Sequence, residues 1–300
     1  MTRKTRNWLI TLLILASPFL FFLGLLFFWA GEPLPPLAPL PNPNGYDDLL
    51  KAQQMLSNDT GEYNETNTAQ VQKVVAADAA ALSLARAGLS NACRVPIQYS
   101  RSYISNHLEE LAGTKRLARA FVAEGLLVEA EGRTGDAIRS YLDTIRLGNE
   151  SSRGGLLIDE LVGIAIEAIG AAHLQTLVPH LDAKTCRETA AALETLDARR
   201  QTWDEVMQQE NSWSHAAYRG WRYELLWLAS RKSVTPAIAA TKRKFNQQEM
   251  RERQLMIDLA ARAYELDKGH PPANLADLVP DYLKAVPQDP VTGTNIVYTP

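Results

Sequence analysis

The chain has 300 residues, 46% of them hydrophobic, and a formal net charge of −3. That balance gives no reason to expect a nucleic-acid partner, because phosphate recognition needs a cationic surface. Two cysteines, Cys93 and Cys186, exclude a disulfide-dense scaffold. They permit either one disulfide or two buried thiols.

Residues 8–30 form the first element. From Trp8 to Trp29 there is no charged residue, and a tryptophan stands at each end. At about 1.5 Å per residue this stretch matches a hydrocarbon core of about 30 Å. Arg3, Lys4 and Arg6 precede it, while Glu32 is the only charge between it and Asp47. Positive charge stays inside. The expectation is therefore a single-pass anchor in the cytoplasmic membrane, with residues 1–7 in the cytoplasm and the rest extracytoplasmic, in the periplasm. The alternative is a cleaved signal peptide, although its apolar region is usually shorter. Residues 31–44 contain PLPPLAPLPNP and read as an extended polyproline stalk, which would hold the following domain off the headgroups.

Residues 45–268 read as helical. A short helix is expected at Asp47–Leu56, and a further helix, with an apolar stripe of Val71, Val74, Val75, Ala79, Leu82 and Ala85, at Thr68–Leu89. Ser90–Tyr103 lacks a period and reads as a loop. A helix opening at Ser105 carries Leu108, Leu111, Ala118, Phe121, Val122 and Leu126. After the break Gly132–Gly135, a second helix carries Ala137, Ile138, Tyr141 and Ile145. With Phe121, Gly125, Ala137 and Tyr141 at the matching positions, residues 118–151 resemble one tetratricopeptide repeat, a helical hairpin that must pack on neighbours. Glu124, Val128, Thr144 and Asn149 depart from that pattern.

Leu156–Val178 is apolar nearly all round and reads as a central buried helix, ended by Pro179. Asp159, Glu160 and Glu167 argue against a second membrane span. Asp182 caps the next helix, expected to reach about Arg200. One continuous helix over 201–230 would place Trp213 and Trp227 on one flank, with Ala216, Gly220 and Glu224 between them. Trp213, Glu224 and Trp227 are the candidate partner-binding residues, since tryptophan is enriched at binding hot spots. The competing reading buries both rings. Ser233 is expected to cap a last helix from Thr235 to Asp267.

Residues 269–300 change character, with prolines, glycines and a strand candidate at Thr294–Thr299. Gly269, Pro271, Leu275, Leu278, Tyr282, Leu283, Val286, Pro287, Asp289, Pro290 and Tyr298 make residues 269–298 similar to the C-terminal end of type II secretion major pseudopilins. The layout also resembles bacterial membrane-anchored proteins with helical ectodomains. In some pseudopilins the C-terminal loop holds calcium, which would point to Asp289; the reading carried forward has no cofactor and no metal.

The expected class is thus mainly α: one N-terminal transmembrane helix, a tetratricopeptide-like hairpin ectodomain and a short irregular or β tail. None of the five histidines stands at i, i+4 from another, and no nucleophile elbow or phosphate loop is present. Catalytic residues are therefore expected to be none. The functional expectation is a non-enzymatic interaction or scaffold protein of the bacterial envelope, held in the bilayer through residues 8–30 and binding a protein or peptide. The alternative is an envelope enzyme, hydrolase-like, with a site assembled from dispersed residues.

Overall fold

The computed structural model describes residues 16–24, 36–218 and 221–298, with the backbone alone at 221–227, 231 and 233. The expected anchor therefore lies outside the described residues except for 16–24, which are helical (α1). Helices follow at Gly45–Gln54 (α2), Thr68–Ser90 (α3), Tyr103–Ala130 (α4), Thr134–Ser152 (α5), Leu157–Leu177 (α6), Ala183–Asp197 (α7), Trp203–Tyr218 (α8) and Trp221–Lys268 (α9). Among the described residues the chain is mainly helical and contains no strand, only an isolated bridge between Gln288 and Asn295.

The helices begin where the chain supplies oxygen acceptors for unpaired N–H groups. Asn67 accepts from Gln70 N at 3.2 Å and Asp182 from Thr185 N at 2.7 Å, each closing the first turn of its helix. Asp159 reaches back to the Leu156 N–H at 2.7 Å and does the same for α6.

Two cores share α5 and α6 as a common spine. In the first, α2, α3 and α4 enclose Tyr46, Leu49, Leu82, Leu117 and Phe121 against Leu147, Val162 and Ile166. In the second, α7, α9 and the tail enclose Leu193, Ile257 and Leu278 against Tyr141, Ile145 and Leu174. Helices α5 and α6 can serve both because they approach closely. A β-carbon on Gly148 would stand 2.5 Å from the Gly163 carbonyl oxygen, and one on Gly170 would stand 2.7 Å from that of Tyr141. Backbone cannot swing aside as a flexible side chain would. Gly148→Ala is therefore expected to destabilise by about 1–3 kcal/mol. Gly135→Ala, where nothing lies within 4 Å, should be neutral or slightly stabilising in the same thermal melts.

Within α4 the apolar stripe is displaced. Leu111, Ala118, Phe121 and Val122 are buried, but Leu108 is 51% exposed and its neighbour His107 is buried instead. The α4–α5 hairpin closes on Gly125, where an added β-carbon would meet the Tyr141 ring at 2.3 Å.

One helical stretch among the described residues, Leu157–His180, is long and apolar enough to cross a membrane, with hydropathy 1.6. It is also the central element of the body. Glu160 and Glu167, which would be costly in hydrocarbon, are buried at 4% and 2% exposure among polar partners.

Three expectations are corrected. The helix anticipated over 201–230 is two helices, α8 ending at Tyr218 and α9 starting at Trp221, so Trp213 and Trp227 do not share one helix. Gly220, between them in sequence, is the residue of lowest helix propensity there after proline. The last helix begins at Trp221, not Thr235, and Pro236 lies inside it. Pro236 is exposed, so the Lys232 carbonyl that loses its N–H partner can be satisfied by water. The strand at Thr294–Thr299 does not form. Asp289 turns the chain by accepting from Val291 N (2.7 Å) and Thr292 N (3.0 Å), Gly293 takes φ +69°, and Val297 is 87% exposed. The tail is nevertheless packed: Leu275, Leu278, Tyr282, Leu283 and Ile296 are buried in the second core.

Candidate functional site

Of the three candidate partner-binding side chains, the structure describes only Trp213. Trp213 is 5% exposed and belongs to the first core. Its indole N–H donates to the Gln98 carbonyl at 3.0 Å, and its ring lies 6.3 Å from those of Tyr103 and Tyr218. A ring so enclosed has no face left for a partner. The side chains of Glu224 and Trp227 lie outside the described residues. Cys93 is buried in the first core and Cys186 in the second, each as a free thiol. Burial pushes the Cys93 thiol up to about 12 and the Cys186 thiol up to about 11, which leaves both protonated and poorly nucleophilic.

Two buried polar clusters were not visible as sites in the sequence. In the first, His107, 2% exposed, lies between two carboxylates. Its Nε2 is 2.5 Å from Asp159 Oδ1 and its Nδ1 is 2.7 Å from Glu110 Oε2. Tyr103 stacks on its ring at 5.0 Å, and the Tyr46 hydroxyl donates to Glu110 at 3.3 Å. A general base needs one ring nitrogen directed at a substrate. Both nitrogens here are engaged by carboxylates of the fold, Asp159 buried and Glu110 part-exposed, so His107 acts as a structural cation. Burial disfavours the imidazolium, but the hydrogen bonds and charges of Asp159 and Glu110 outweigh it and hold His107 above its ordinary value. The contribution of a raised histidine is complete below its unfolded pKa of about 6.5 and is lost as pH rises through the folded value. Wild type should therefore lose more stability between pH 6 and pH 8.5 than His107→Gln does. Equal slopes in paired denaturation curves would remove His107 from this role.

The second cluster is centred on Arg200, whose side chain is 6% exposed. It donates to Glu167 of α6 at 2.8 Å and to Glu252 of α9 at 2.5 Å, and it lies 3.8 Å from Asp197 at the end of α7. Gln248 donates to the other Glu252 oxygen at 2.9 Å. Burial pushes Glu167 well above the usual carboxylate range, against the opposing pull of Arg200. The guanidinium occupies the space between the acids that a metal would need. Among the described residues no group of three or more His, Cys, Asp or Glu is placed to hold a metal. The Asp289 carboxylate is committed to its own turn, whose backbone N–H groups hold it below its ordinary value.

Among the described side chains of the helical body, a long uncovered stretch lies in α9 from Leu228 to Ala240. No described side chain from 228 to 240 is buried, and burial begins at Thr241 and Phe245. Leu228 is 55% exposed and Val234 38%. Between Glu224 and Glu249 the sequence has no acidic residue but five cations: Arg231, Lys232, Lys242, Arg243 and Lys244. Of these, Lys232, Lys242, Arg243 and Lys244 are exposed. A helix alone in water is marginal, and an interior proline costs it roughly 3 kcal/mol more. This segment thus has apolar surface, one sign of charge, and little of its own to stabilise it.

No family model, no curated protein and no solved structure matches the chain.

Proposed function

We propose that the chain is a single-pass protein of the cytoplasmic membrane, N-terminus inside, whose extracytoplasmic helical body docks an acidic protein or peptide on the first half of α9. The anchor and its orientation rest on the uncharged run Trp8–Trp29 and the cations Arg3, Lys4 and Arg6. In this reading the α4–α5 hairpin is a tetratricopeptide-like unit and the tail a pseudopilin-like clasp over the second core. The function is scaffolding, without catalysis.

One observation carries the docking role: from Leu228 to Lys244, α9 joins exposed apolar side chains to exposed cations, and the sequence has no acid in that stretch. Charge of one sign selects an oppositely charged partner and speeds encounter, while apolar contacts slow release. The partner would also supply the packing that this proline-containing segment lacks. The pair Leu228→Gln and Val234→Gln tests it. Both residues are exposed, so the melt should stay within about 0.5 kcal/mol of wild type. The complex recovered from solubilised membranes should shrink to the size of the lone chain. A complex of unchanged size would rule out this face.

A further inference from the structure

We propose that the body carries a second site, a pocket for a phosphate-bearing ligand, where the polyproline segment meets the α5–α6 and α7–α8 connections. A cavity of about 810 Å³ opens there, within the size range of ligand pockets. Arg94, Arg153 and Arg199 reach it from three separate parts of the chain.

The cations are held in place by the fold. Glu150, 1% exposed, bridges Arg153 at 3.0 Å and Arg199 at 2.9 Å, and Arg153 also donates to Asn149 at 2.9 Å. Arg94 is fixed through its backbone: the Asn44 side chain accepts from its N–H and donates to its carbonyl, both at 2.9 Å. Its guanidinium forms no ion pair or side-chain hydrogen bond among the described residues. Gly154, at φ +70°, makes room for it, since a β-carbon there would stand 2.9 Å from Arg94 Cγ and Nε. The Gly154 N–H donates to the Gln201 side-chain oxygen at 2.7 Å, which leaves the Gln201 NH2 as a further donor at the cavity wall.

Charge and shape then select the ligand. Three guanidiniums face two carboxylates, Glu150 and Glu205, and Glu205 is already engaged by the Thr202 N–H (2.7 Å) and hydroxyl (2.8 Å). Arg200 also lines the cavity, but its own acids neutralise it. The unpaired Arg94 fork is suited to a phosphate, which can take two parallel N–H bonds. Another part of the lining is apolar, built by Pro36–Pro39. Leu37 and Leu40 also close a smaller cavity of about 80 Å³ against Val95, Pro96 and Ile97. A cationic part and an apolar part in one cavity suit a phosphate ester with a hydrocarbon portion. If residues 8–30 are the anchor, Leu37 lies at most about 22 Å beyond it at ~3.1 Å per residue, within reach of lipid headgroups. The stalk thus borders a cavity of the body as well as linking it to the membrane.

The test uses the full chain purified in neutral detergent micelles. Two probes separate the possible sources: phosphatidylglycerol against phosphatidylcholine, read by native mass spectrometry, and glycerol 3-phosphate, read by calorimetry. Arg94→Gln removes the unpaired fork, Arg94→Lys keeps only its charge, and Arg139→Gln removes a charge from an exposed site outside the cavity. At least one probe should bind the wild type and Arg139→Gln alike. It should bind Arg94→Gln about tenfold more weakly or worse, with Arg94→Lys between. Selective retention of phosphatidylglycerol assigns the site to a headgroup, and glycerol 3-phosphate binding without it assigns a soluble ester. Binding of neither probe, or binding that Arg94→Gln leaves unchanged, overturns the proposal. None of these readouts involves α9, so failure here leaves the docking reading standing.

Discussion

Arg200→Ala is expected to destabilise the protein by about 3–5 kcal/mol, the cost of leaving Glu167 and Glu252 as buried, uncompensated charges. For a body of this size that is a fall in melting temperature of roughly 10 °C or more. The loss has a pH signature. Burial raises Glu167, so with the cation gone it is accommodated most easily when protonated, and the deficit should be smaller at pH 4.5 than at pH 7.5. Converting the cluster to apolar residues (Arg200→Met, Glu167→Met and Glu252→Met together) should recover most of the stability, because a buried ion pair returns little beyond its own desolvation cost. A single Arg200→Ala protein that melts with wild type at both pH values would mean that the acids are solvated and that α6, α7 and α9 are not joined there.

Trp213→Ala should cost a similar amount, about 3–5 kcal/mol, since a large buried ring is replaced by a void in the first core. Trp213→Phe should cost less: most of the space stays filled, and the losses are the second ring and the hydrogen bond to the Gln98 carbonyl, the latter worth roughly 1 kcal/mol. The pair separates core from interface. An exposed anchor would tolerate both changes in a melt and lose its partner, whereas a core ring gives a graded loss of stability.

Most helices were legible because their apolar residues recur at three and four and their ends carry caps. Asp182 and Pro179 mark their boundaries in the sequence and in the structure. The pattern failed where residues no longer pack against the body. Periodicity carries a helix smoothly from Trp203 past Leu228, yet α8 and α9 are separate helices, and in α9 Leu228 faces outward. The start expected at Thr235 failed because the helix runs on through Pro236, where an exposed turn can lose one hydrogen bond and continue. The polar clusters were hidden for another reason. Glu167, Asp197, Arg200 and Glu252 are scattered over some 85 positions, and only tertiary packing brings them together. Glu167 did signal itself as an acid on an apolar helix, but its partner Arg200 looks in sequence like one of two solvated arginines at a helix end. Arg94 gave no signal at all, because its neighbours in the pocket come from other segments.

The central claim, docking of an acidic protein on the first half of α9, is tested most directly by photo-crosslinking in intact membranes. A benzophenone amino acid would replace Leu228, Val234 or, as a control, the exposed Leu108 of α4. The account predicts one discrete protein adduct from positions 228 and 234, none from 108, and loss of that adduct when Lys242, Arg243 and Lys244 are changed together to Glu. Adducts with lipid alone, equal adducts from position 108, or a protein adduct indifferent to the charge reversal would contradict it.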